Sequence, residues 1–142
     1  MAVNTSPVFP GAPKSFTVTM APGAVGSTSG NTPTGVTTLG TIGASGGQGG
    51  TCRITPLATN TAAVVAFYKR KSGEAANVWH LIATQYVGAQ TINSTSPPNP
   101  QTVPAITGMD FEAGDVIGVG SWATLTASCD VDLNWYDLSK PA

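Results

Sequence analysis

The sequence predicts an all-β protein, a single antiparallel β-sandwich of jelly-roll type with an extended N-terminal arm rich in proline and glycine. Three observations predict it. From Val36 onward short β-prone runs alternate with turn residues, the pattern of sandwiches and barrels. No window carries an apolar stripe at i, i+3, i+4 and i+7, and helix-forming residues are scarce, so at most one short helical turn is expected. The length, 142 residues, suits one domain, and no internal repeat suggests a solenoid or propeller.

Residues 1–35 hold Pro7, Pro10, Pro13, Pro22 and Pro33 interleaved with glycines, and one charge, Lys14. Proline at this density opposes helix and central strand alike. Within it, Phe16, Val18 and Met20 alternate with polar residues, which predicts a short strand over 15–20. The expected domain is 36–142, with 1–35 as an arm able to cross onto a neighbouring subunit. Deleting residues 1–34 is then expected to leave a folded domain. The strands predicted in that domain are 36–42, 51–57, 63–70, 78–87, 102–106, 116–122 and 130–138.

The separators are specific. Gly46-Gly47-Gln48-Gly49-Gly50 reads as a flexible connection and not a phosphate loop, since it lacks a Lys-Ser/Thr pair and no helix follows. Residues 71–77 form a hairpin loop, 93–100 a longer crossing with three prolines, and 112–115 a tight turn around Gly114. Along 129–135, Val131, Leu133 and Trp135 share one face and Asp130, Asp132 and Asn134 the other. Cys52 and Ile54 oppose Arg53, while 63–68 is apolar on both faces and suits a central strand or a subunit contact.

Charge narrows the function. Only 9% of residues are charged and the net charge is -1, whereas Gly 17, Pro 11, 20 threonines and 11 serines make the surface polar and nearly uncharged. Soluble domains usually carry about 25% charged residues, so a place in an assembly, or secretion, is expected. Apart from Lys69-Arg70-Lys71 the basic residues are scattered, which argues against nucleic acid as a partner. The longest apolar run, 62–68, is far short of the ~20 residues of a membrane helix. Met1 to Pro7 has neither a charged nor an apolar leader region, so no secretory signal is expected there.

The residues that could carry chemistry are few. His80 is the single histidine; a Ser-His-Asp or Cys-His site is arithmetically possible, but a packed or solvent-edge imidazole is the plainer role. One histidine and two distant cysteines do not make a zinc site. Asp110, Glu112 and Asp115 are too few and irregular for an EF-hand, and capping of a turn is expected of them in preference to calcium binding. Asp130 and Asp132 read as a solvated strand face. Asn4-Thr5-Ser6 and Asn93-Ser94-Thr95 match the glycosylation pattern by coincidence when no signal precedes them. Cys52 and Cys129 read as buried thiols before a disulfide. No cofactor or metal is expected.

From Gly35 to Leu138 the chain resembles small virion proteins of tailed bacteriophages and prophages. The residues that carry the resemblance are 51–62 (TCRITPLATNTA), 64–68 (VVAFY), Trp79-His80-Leu81-Ile82 and 111–119 (FEAGDVIGV). The arm lies outside it. The resemblance implies a non-enzymatic β-sandwich subunit on the capsid surface, a decoration or cement protein bound to the major capsid protein or other virion subunits, as a homo-oligomer and most simply a trimer; a tail component is the alternative. Contact residues would be Phe9, Phe16, Val18 and Met20 of the arm and Lys69, Arg70 and Lys71 at the start of the 69–77 loop. A carbohydrate-binding sandwich, or a receptor-binding tail tip, would instead expose aromatics such as Trp79, Trp122, Trp135 or Tyr86 as stacking platforms, although strand positions favour core packing for them.

Overall fold

A computed structural model describes residues 9–25 and 30–139, with the backbone alone at 9–12 and 139. Its strands are β1 (Phe9–Met20), β2 (Thr37–Thr41), β3 (Gly47–Pro56), β4 (Ala63–Arg70), β5 (His80–Val87), β6 (Gln101–Thr102), β7 (Asp110–Phe111), β8 (Val116–Ser121) and β9 (Cys129–Ser139). One sheet has the order β1-β9-β3-β6, with the two-residue β7 also pairing β3; the other has the order β2-β8-β4-β5. All pairings are antiparallel. Setting β7 aside, the first strand pairs with the last, the second with the second-last, the third with the third-last, and the two middle strands with each other. A long antiparallel ribbon folded over on itself in this way is the jelly roll, and the expected fold class holds.

The core lies between the sheets. Alternation places Cys52, Ile54, Val131, Leu133 and Trp135 inward from β3 and β9, against Val65, Phe67, Ile117 and Val119 from β4 and β8. Strand β4 is central, as its two apolar faces predict. Ala66 and Tyr68 point away from the core into a second cluster with Trp79, flanked by Val36, Val116 and Trp122. That outer cluster exists because β8 is smooth there. A Cβ at Gly118 would meet Val36 and Trp79, and one at Gly120 would meet Val25.

The arm is placed differently from the expectation. Its strand runs from Phe9, not from residue 15, and pairs with β9 of the same chain along most of its length. Pro10 and Pro13 are tolerated because β1 is an edge strand, bonded to a neighbour on one side only, and the register shifts between them. Beyond β1, the chain crosses to the outer face of the second sheet. Val25 N–H donates to the Ser121 carbonyl, and Trp79 N–H donates to the Asn31 carbonyl. No boundary at 35/36 separates arm from sandwich among the described residues.

Glycine accounts for the second difference. Residues 47–50 are the first half of β3 and not a flexible connection. Gly47 packs under Trp135 and Ile42, and the Ile106 carbonyl occupies the place a Cβ of Gly49 would take, so these glycines are there for close packing. The strand expected over 102–106 shrinks to Gln101–Thr102 and then becomes a 3-10 turn, Pro104–Ile106, begun by the proline and anchored by buried Ile106. The turn at 112–115 forms as expected, with Gly114 at φ +77°.

Candidate functional site

Of the expected contact residues on β1, three side chains are described, and all three serve the fold. Phe16 stacks on Trp135 at a centroid separation of 3.4 Å and 21° between planes. Val18 packs on the core and Met20 is buried. The side chain of Phe9, like the Asn4-Thr5-Ser6 segment and the start of the chain, lies outside the described residues.

Residues 69–80, from the end of β4 to the start of β5, hold Lys69, Arg70, Lys71, Glu74 and His80. Lys69 points to the rim of the core, where its Nζ lies 3.6 Å from Oδ2 of Asp115. Asp115 is 1% exposed; its Oδ2 also accepts the Glu112 N–H at 2.9 Å, closing the turn, and its Oδ1 has no hydrogen-bond partner. The pair ties the end of β4 to the start of β8. Arg70 lies 4.6 Å over the Trp79 ring and donates to the Ala76 carbonyl at 2.7 Å, a cation–π contact that fixes the loop's descent. Lys71 is exposed; its backbone N–H donates to Glu74 Oε2.

His80 meets Glu74 across this loop, Nε2 lying 2.9 and 3.1 Å from the two carboxylate oxygens. That bond, and then the Lys71 N–H, hold the Glu74 carboxyl below its ordinary range. The imidazole is thus a half-exposed loop fastener, and neither cysteine is beside it. Cys52 sits opposite Leu133 and Cys129 opposite Pro56, four rungs apart on the β3–β9 ladder. At about 3.4 Å per residue that separation exceeds disulfide reach, and both thiols are free and buried. Burial, reinforced by Asp132, pushes Cys52 up to about 12; burial, reinforced by Asp130, raises Cys129. Both are poor nucleophiles.

The carboxylates of 110–115 separate. Asp110 is exposed and accepts from Gln48, Glu112 is exposed, and Asp115 is buried against Lys69. Among the described residues no group of three or more His, Cys, Asp or Glu could hold a metal ion. Asp130 and Asp132 accept from the Thr19 and Thr17 hydroxyls at 2.6 and 2.7 Å on the outer face of the first sheet. Asn93 makes an Asx turn with Thr95 and Ser96.

Two concavities lie at opposite ends of the sandwich, one of about 230 Å³ bordered by Met20, Pro22, Thr37, Ser121 and Leu125, the other of about 470 Å³ bordered by Ser45, Phe111, Glu112 and Leu138. Neither gathers convergent polar side chains. The aromatics do not form a platform either. Trp79 and Trp135 are buried, and half-buried Trp122 donates its Nε1–H to the Tyr68 hydroxyl at 3.0 Å. Tyr86 departs from the expected core packing, being 62% exposed on the outer face of β5, where Leu81 is 50% exposed. A bulge at Ile82 turns both to that face. Sequence alternation alone hides this, because they are five positions apart and a regular strand would send them to opposite sides.

No known protein family matches the chain, and no curated sequence does. A solved structure of infectious bursal disease virus Gx strain contains a similar chain, 12% identical, with a TM-score of 0.35. The similarity covers 97% of this chain and 37% of that one, so the present chain spans little more than a third of its length. Exposed apolar groups concentrate on β5, with Leu57 and Tyr136 the remaining large ones among the described residues.

Proposed function

We propose that this protein is a non-enzymatic structural subunit of a virus particle, and specifically a decoration or cement protein on the capsid of a tailed phage. The observation that carries the reading is the strand order β1-β9-β3-β6 over β2-β8-β4-β5, an architecture shared by viral capsid domains and lectins. The placement of the potentially chemical residues supports it. His80, Asp115 and both cysteines are each engaged in holding loops or filling the core, which leaves surface burial as the means of action.

A subunit that binds only assembled capsomers stabilises the shell by mass action. Symmetry repeats a modest contact many times, so each can be weak while the set holds. The low overall charge, 9% of residues, suits such contacts. Lectin-like binding is the second reading of the same fold; exposed Tyr86 and Tyr136 favour it, and burial of Trp79 and Trp135 counts against it.

The test is reconstitution with particles. Shells lacking this protein should release their contents at lower temperature, adding purified protein should restore the difference, and imaging should place it on the head. Equal robustness with and without it, or localisation to no particle, would refute the assignment.

A further inference from the structure

The four sheet edges are not equivalent. The β1 edge carries Pro10, Pro13 and Lys14; the β2 edge is five residues long and broken by a bulge; the β6 edge is two residues long, preceded by Pro97, Pro98 and Pro100. Proline, lysine, bulges and brevity are the devices by which edges avoid pairing with other chains. Strand β5 has one of them, the bulge at Ile82, which turns Leu81 outward beside Tyr86. Over eight residues it holds no proline and no Lys, Arg, Asp or Glu, and it pairs only β4.

We propose that β5 is an intermolecular pairing edge whose occupant is β5 of a second copy of this chain. The row of backbone N–H and C=O groups on an edge asks for a strand, and a strand laid antiparallel on its own copy is self-complementary about a two-fold axis. Charge permits it, since Leu81 to Val87 carries no formal charge and the whole chain has a net charge of -1. On the outer face, Leu81, Thr84 and Tyr86 would cover one another across the axis. This predicts a two-fold contact where the phage resemblance implies a trimer, and it stands whether or not the protein belongs to a virion.

The size of the contact sets its strength. Eight residues make an edge about 27 Å long, and a strip of that length one side chain wide on each face buries on the order of 800 Å² in total, below the ~1,200 Å² of standard interfaces. The dimer is therefore weak, and becomes firm only where assembly supplies further contacts.

Sedimentation equilibrium of the full chain, from micromolar to millimolar concentration, should show a monomer–dimer equilibrium. Amide exchange protection over 80–87 should rise with concentration. Thr84→Lys and Tyr86→Lys, both at exposed positions, should weaken the dimer by roughly tenfold or more with the monomer's melting temperature unchanged, while Tyr136→Lys on the other sheet should not. A monomer at every concentration, a trimer, or a dimer indifferent to both β5 substitutions would overturn the proposal.

Discussion

Removing residues 1–34 should unfold this protein, not liberate a compact domain. The deletion takes away β1, which pairs β9 along its length and contributes Phe16, Val18 and Met20 to the core. Fully burying an apolar side chain of this size is worth about 1.5–3 kcal/mol, so buried Met20 with half-buried Phe16 and Val18 contributes about 3–6 kcal/mol. A domain of this kind has about 5–15 kcal/mol in all. The loss also bares Trp135, whose ring Phe16 covers, takes Val25 from over Gly120, and removes the Asn31 carbonyl that accepts the Trp79 N–H. The single substitution Phe16→Ala isolates one part of this. Because Phe16 is half-buried, it should cost about 2–3 kcal/mol, short of the 3–5 of a fully buried phenylalanine. Urea titration followed by tryptophan fluorescence measures both. A truncated chain with a cooperative transition at the full-length midpoint would refute the reasoning, and would restore the view of residues 1–35 as a detachable arm.

Lys69→Ala should destabilise the fold by about 3 kcal/mol, because it leaves the Asp115 carboxylate buried with no cation; the same titration checks it, and a loss below about 1 kcal/mol would show that water already serves Asp115. Gly118→Ala should cost about 1–3 kcal/mol, its new Cβ falling 2.6 Å from Val36 Cγ1 and 2.7 Å from Trp79 Cζ3, and thermal melting that matches the native protein would contradict the packing of the outer cluster. Cys52 and Cys129 should resist a thiol reagent at neutral pH until the chain unfolds. Since the Cys52 thiol is raised to about 12 from about 8.5 unfolded, the unfolded chain loses its proton first. The stability from this group is whole below about pH 8.5 and is lost as pH rises toward 12. Cys52→Ala should flatten the alkaline fall in urea midpoint, and an unchanged slope would remove the thiol as its cause.

Strand identities were legible wherever one face is buried and the other wet. Val131, Leu133 and Trp135 against Asp130, Asp132 and Asn134 is such a case, and β4 announced its central place by being apolar on both faces. The candidate contact residues were less legible. Phe16, Val18 and Met20 look equally suited to a neighbour's surface and to their own core, because alternation tells which residues are covered and not by what. Proline and glycine misled in two places. Pro10 and Pro13 argue against a strand, yet β1 is an edge with a ladder on one side only, and its register shifts between them; Gly47 and Gly49 suggest a loose connection, yet they permit Trp135, Ile42 and the Ile106 carbonyl to approach.

What the sequence determined by itself was the class: all-β, one sandwich, few charges, and no helix to speak of, since hydrophobic period and composition are local properties. What only the tertiary structure decided was partnership. It set β1 on β9 across more than a hundred residues of chain, drew Asp115 under Lys69, held the two cysteines apart, and used a single bulge to bring Leu81 and Tyr86 to one exposed face. Each of these depends on the register between strands remote in sequence, and register is settled by the packing of the whole core.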